Sequence, residues 1–527
     1  MHVLRYIPLL VACGLVLSPT WVQASPPQGT QSLAAAVEPR SDPHVCTSTD
    51  VSRLIDTAKP GDLLAPPQDV TAESGLVDGR LYRILYATTA PAGRSRAACA
   101  IVALPEGDTL KSVLIEGHGA WGLHQRCQPS MALTNFVGNS DPGAQGAGPL
   151  FTTVKSGGAF IAPDYPAAGT GGNQLQPFVH GVAQGLSVLD AARAVTNNPS
   201  ALGLAPIAPN AEIPLVLAGY SQGGGAVLWA GQLAKYYFDR LDDHRLDLAG
   251  VMALEPGGVQ LVASPREPRN LIGHHLVDSI MYTNPISAVY FSWVVRSWSQ
   301  LTAANAGPIP FGPSATVSPS GVLSSDGLAT AAEVIQYCSS EFAPLALAAG
   351  KYADPNVHRL LRSPFAGASR NGIWATAVDR TCQRLKDIPK KAAQWCQWLQ
   401  FNNAGPNGVN PFPKFATDND GQLVPLYLLH GRNDTTVRCV DDSGDVDPEN
   451  CVTRQFYDSL SARYCSGKGH LTAEYFAGVG HGDLYWRVMQ SPEPGTWYFG
   501  SRFEQFVSAA IAGTLPRTCQ QMHSAPL

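Results

Sequence analysis

Ser221 lies in Gly219-Tyr220-Ser221-Gln222-Gly223, just after the apolar run 213–217 and just before a helical pattern over 222–236. A serine hydroxyl is a poor nucleophile until a base removes its proton, and the base needs an acid to orient it. Small residues at 219 and 223 suit a sharp strand-to-helix turn, which would hold the Ser221 hydroxyl out at the carboxyl edge of a sheet. The competing reading is a plain serine in a glycine-rich loop.

The partners are expected in the order serine, acid, histidine, each on a loop after a later strand. The run 423–429 leads into His430-Gly431-Arg432-Asn433-Asp434, so Asp434 is the expected acid, with a turn-forming role as the alternative and Asp441, Asp442 and Asp445 as nearby substitutes. The run 471–476 leads into Gly478-Val479-Gly480-His481-Gly482-Asp483 and makes His481 the expected base. His430 sits at a strand end rather than out on a loop, and Asp483 follows the base too closely to orient it. A histidine base acts only when neutral, so activity should fall at acidic pH. The run 112–116 leads into Gly117-His118-Gly119-Ala120-Trp121-Gly122, and the backbone N–H of Ala120, with that of Gln222, is the expected donor pair for a developing oxyanion. His118 is read as shaping that loop, Asp164 as fixing a turn, and Asp190 with Arg193 as a surface pair at helical spacing.

These residues need a scaffold. The runs 112–116, 159–162, 213–217, 251–254 and 423–429 are short and continuously apolar, as parallel strands covered on both faces are. Strands are also expected over 80–86 and 100–104, helices over 180–195 and 222–236, and a closing helix that ends near Gly513. Between 257 and 421 the rhythm stops. That interval holds Pro and Gly clusters, a helical stretch over 328–338, and Trp293, Trp298, Trp374, Trp395 and Trp398. A structureless loop of that length is improbable, so the interval reads as a mainly helical cap whose tryptophans form a small core of their own, a reading compatible with their lining a pocket for an apolar substrate.

The organisation expected is therefore a signal peptide over 1–24, an N-terminal arm over 25–75, a core over 76–256, the cap over 257–421, and a second part of the core over 422–527. The signal reading rests on Arg5, the apolar stretch 7–17 and the small-residue site 22–24 before Ser25, the apolar stretch being shorter than the roughly 20 residues of a spanning helix. Export, to a periplasm or beyond the cell, would leave ten of the eleven cysteines, an even set suited to disulfides, with Cys439 and Cys451 expected to pair across an Asp-rich loop. The composition, 45% hydrophobic and 15% charged with a net charge of -5, suits a globular protein and gives no nucleic-acid footprint. No metal or other cofactor is expected. The acidic loop 441–449 lacks EF-hand spacing and reads as a solvated, disulfide-tied loop.

Taken together, "KPGDLL" at 59–64, "YRILYATTAPAGR" at 82–94, "GHGAWG" at 117–122, "CQPS" at 127–130, "APDYPAAG" at 162–169, "LDAARAV" at 189–195, "GYSQGG" at 219–224 and "HGRNDTTV" at 430–437 make the chain resemble the secretory lipases, the lipase A-like branch of the α/β-hydrolases. The resemblance implies an α/β-hydrolase fold, a mostly parallel sheet flanked by helices with a large helical cap, and a secreted carboxylic-ester hydrolase whose triad falls on Ser221, Asp434 and His481. Its partner would be a small-molecule or lipid ester, with transient contact at a lipid interface and no stable protein partner. Esterases for aromatic or polymeric esters, a serine peptidase and a non-catalytic binding protein on the same scaffold are the other readings. The long insertion, the many cysteines and the acidic loop depart from the family pattern.

Overall fold

Ten strands form one sheet in the order β1-β2-β3-β5-β4-β6-β7-β8-β9-β10. They are β1 (Gln68–Asp69), β2 (Arg80–Thr89), β3 (Ser95–Leu104), β4 (Val113–Gly117), β5 (Ala159–Pro163), β6 (Ile213–Tyr220), β7 (Leu246–Leu254), β8 (Leu426–Gly431), β9 (Leu471–Phe476) and β10 (Cys519–Ser524). The computed structural model describes residues within 44–524, leaving out 134–146, 168–173, 262–284, 302–308, 342–389, 440–450, 486–499 and several shorter stretches. The expected signal segment and the acidic loop 441–449 lie outside the described residues, as does Trp374.

From β5 through β4, β6, β7, β8 and β9 to β10 every pairing is parallel, and β1, β2 and β3 form an antiparallel margin on β5. The continuously apolar runs have the expected cause, because both faces are covered. In β6, Leu215 and Leu217 point to the core shared with helices Gly181–Asn197 and Gln222–Leu241. Val216, Ala218 and Tyr220 point to the opposite core, with Leu150 and Val154 of helix Ala147–Lys155 and Phe503, Phe506 and Val507 of helix Gly500–Ile511. Burying one such side chain contributes roughly 1.5–3 kcal/mol, and a one-residue slip would exchange the faces of every residue in β6.

Among the described residues of 257–421 there are helices and no strand, including Pro285–Trp298, Ser325–Val334 and Lys390–Phe401. Trp293, Trp298, Trp395 and Trp398 are fully buried. They do not make a core of their own, as expected from sequence, but continue the core of the sheet: Trp298 and Trp398 pack against His180, whose imidazole caps helix Gly181–Asn197.

The surface pair expected of Asp190 and Arg193 is corrected. Asp190 is completely buried, 3.3 Å from Arg193, and accepts from the Thr89 N–H, the Thr88 and Thr89 hydroxyls and the Tyr237 hydroxyl. Arg193 also reaches Asp243 at 2.9 Å. Helix Gly181–Asn197 lies between β2 and helix Gln222–Leu241, so the face carrying this pair has no route to water. Asp164, expected to fix its own turn, instead accepts from the backbone N–H and hydroxyl of Ser130 and anchors the segment that follows Cys127.

Candidate active site

β6 ends at Tyr220 and the helix starts at Gln222, so Ser221 makes the whole turn, with φ 52° and ψ -117°. A non-glycine residue with positive φ is uncommon and costs of order 1–3 kcal/mol, which the surroundings must offset. The Ser221 N–H donates to Leu254 O at 2.9 Å, and its carbonyl accepts from Gly225 and Gly257 at 3.1 and 2.7 Å. The small flanking residues are required: a Cβ on Gly219 would overlap the carbonyl of Gly223, and one on Gly223 would overlap the carbonyl of Gly117.

The three residues singled out from sequence meet. His481 Nε2 lies 3.0 Å from Ser221 Oγ, and His481 Nδ1 lies 2.8 Å from Asp434 Oδ2. The loops carrying them follow β9 and β8, adjacent parallel strands, and are laced together: Asn433 N–H donates to Val479 O at 2.9 Å, and Gly478 N–H donates to Asn433 Oδ1 at 3.1 Å. Asp434 is fully buried; its Oδ1 accepts from the N–H groups of Thr436 and Val437 at 2.7 and 2.9 Å, and its Oδ2 lies 3.1 Å from His430 Nε2. Burial alone would raise its pKa, but His481 and His430 hold the carboxyl well below the usual carboxylate range. An imidazole set between a hydroxyl and an ionised carboxylate can take the hydroxyl proton and keep its orientation while charged.

His430, a rival for the base in sequence, thus supports Asp434 from behind, with its other nitrogen 2.6 Å from Thr453 Oγ1. Asp483 is exposed and faces Gly480 N–H at 3.4 Å. Asp434 lies just before the Cys439–Cys451 disulfide, its carbonyl accepting from the Cys439 N–H at 3.0 Å. Among the described residues Cys46–Cys99, Cys127–Cys338 and Cys465–Cys519 are also paired.

The loop after β4 passes directly beside the serine, since a Cβ on Gly119 would lie 3.8 Å from Ser221 Cβ. His118 is buried with Nδ1 2.6 Å from Gly119 O and its ring against Tyr165; burial lowers its pKa to about 4, so it shapes the loop as a neutral ring. Farther along, Gly122 O accepts from Gln176 and Gln128 at 2.8 and 3.1 Å, and Ser339 N–H donates to Trp121 O at 2.9 Å. The Cys127–Cys338 disulfide ties this region to the segment after helix Ser325–Val334. Gln222 is the first residue of its helix, so its N–H has no intrahelical acceptor, and its side chain is held by Gln176 at 2.8 Å.

Glu255 is a group that sequence reasoning missed. It directly follows β7, has φ 44°, is fully buried, and places Oε2 3.3 Å from His481 Nδ1. The signal was present: a carboxylate directly after the apolar run 251–254, at a strand end of the kind that also leads to Asp434.

A mostly parallel sheet flanked by helices, with a strained serine turn after a central strand and an aspartate and a histidine on the next strand ends but one and but two, defines the α/β-hydrolase fold. Residues 149–255, from helix Ala147–Lys155 through the serine turn to Glu255, match the family model of the secretory lipases. In structure the chain is similar to Candida antarctica lipase A in its closed state, with 15% identity over 92% of this chain and 89% of that one and a TM-score of 0.55. It is also similar to a G231F mutant of the rice cell wall degrading esterase LipA from Xanthomonas oryzae, with 14% identity over 87% of this chain and 100% of that one and a TM-score of 0.51. No curated protein sequence matches the chain.

Proposed function

We propose that the protein is an exported serine hydrolase that cleaves carboxylic esters through an acyl-enzyme. His481 takes the proton from Ser221 as Oγ attacks the ester carbonyl; Asp434 stabilises the imidazolium; the backbone N–H groups of Ala120 and Gln222 receive the oxyanion. The imidazolium passes its proton to the departing alcohol. Water then attacks the acyl-enzyme by the same route, which returns the proton to Ser221 and releases the acid. The mechanism draws on side chains, backbone and water, and needs no cofactor.

The observation that carries this reading is the continuous contact Ser221–His481–Asp434, at 3.0 and 2.8 Å, among residues from three separate parts of the chain. Export is supported by the secretory family match and by the disulfides. The test is hydrolysis of p-nitrophenyl butyrate by the wild type and by Ser221→Ala. The variant is expected to fold and to lose the activity; retention of most of it removes Ser221 from the role. Because the structural likenesses carry the names of a lipase and of a cell-wall-degrading esterase, a panel from tributyrin through long-chain triglycerides to aryl esters identifies the substrate class.

A further inference from the structure

Glu255 joins three pieces of the site. Its N–H donates to Leu429 O at 2.8 Å, Oε1 accepts from Gly431 N–H at 3.1 Å, and Oε2 accepts from Gly482 N–H at 3.2 Å, beside the ring of His481. A mere clamp could end at those backbone groups. Here Oε2 also faces Nδ1 of His481 at 3.3 Å, so that nitrogen has two carboxylates before it, the nearer being Asp434 at 2.8 Å. One ligand atom of each of the three residues lies within 4.8 Å of the others.

Resting on the ester-hydrolase reading, we infer that Glu255 is a second acid for His481, a positioning residue that shares its Nδ1 proton with Asp434 and takes it over when Asp434 is neutralised or removed. Two buried carboxyls so close do not both carry a full charge easily. Asp434 holds the charge, having two backbone donors and two imidazoles around it. Among the described residues Glu255 also has two backbone donors, Gly431 and Gly482 N–H, but one imidazole rather than two, and burial, followed by the charge of Asp434, pushes its pKa well up. The other titratable groups facing it are His481, the exposed Asp483 and the buried Tyr220 phenol, with His430 beyond Asp434. Removing the Asp434 charge removes the repulsion that, second to burial, holds the proton on Glu255. Glu255 then ionises in place, with Nδ1 already in reach.

The test is a double-mutant cycle on kcat/KM for p-nitrophenyl butyrate, using Glu255→Gln, Asp434→Ala and the double variant. Glu255→Gln alone is expected to cost about tenfold or less, and in the Asp434→Ala background about a hundredfold or more, because there it removes the remaining acid. In that background it should also move the acid limb of the pH profile downward, since the imidazolium loses its last anion. An equal factor in both backgrounds with an unmoved limb leaves Glu255 a structural clamp and overturns the inference. Should the glutamine variant fail to fold, Glu255→Asp carries the same cycle. Ser221-dependent hydrolysis by the wild type separates the outcomes: with it, a background-independent loss overturns only the role of Glu255, and without it the reading beneath also falls.

Discussion

The backbone of Gly223 lies against that of Gly117 so closely that a Cβ on Gly223 would overlap the Gly117 carbonyl oxygen. The first turn of the helix after Ser221 is thereby packed onto the end of β4, where the loop facing the serine begins. A methyl group there must push apart two backbone segments, neither of which can rotate away as a side chain would. Gly223→Ala is expected to lose at least tenfold in esterase activity and about 1–3 kcal/mol or more of stability. Thermal unfolding and p-nitrophenyl butyrate turnover measured on the same preparation check it; wild-type values in both would mean that the contact is not as close as described.

Glu116 gives a stability signature that can be followed by pH. It is buried in β4 with Oε1 accepting from the Tyr485 hydroxyl at 2.6 Å, and the Tyr485 ring packs on Tyr220 beside the serine. Burial raises its pKa from 4.5 to about 7, against the smaller opposing effect of the Tyr485 hydrogen bond. Below pH 4.5 both folded and unfolded chains carry the proton. Between 4.5 and about 7 the unfolded chain releases it while the fold retains it, so the native state binds more protons and stability falls as pH rises. Each tenfold in proton affinity is about 1.4 kcal/mol, so the fall approaches about 3 kcal/mol. Glu116→Gln, which keeps an acceptor for Tyr485, should gain stability relative to wild type on going from pH 5 to pH 8. A difference in unfolding free energy that stays constant across that range would contradict the assignment.

Much of this was legible because local chemistry and tertiary position agree. The apolar runs marking β4 to β8 are buried on both faces, and a strand in that setting has little freedom to be anything but apolar. Gly219, Ser221 and Gly223 could be read because steric demand leaves few residue types possible there. What escaped depends on third partners. Spacing pairs Asp190 with Arg193 but does not show Tyr237 and β2 closing over them. The strand Cys519–Ser524 escaped because its sequence, Cys-Gln-Gln-Met-His-Ser, is mostly polar, as a strand at the margin of a sheet can be. Glu255 belongs to no motif in the sequence, and only the convergence of the β8 and β9 loops sets it beside His481.

Reaction of the protein with a fluorophosphonate, with the adduct located by mass spectrometry of the digested chain, tests the central claim most directly. Stoichiometric modification of Ser221, lost when His481 is replaced by alanine in a folded protein, is the predicted result. An unmodified Ser221, or labelling that is indifferent to His481, would contradict it.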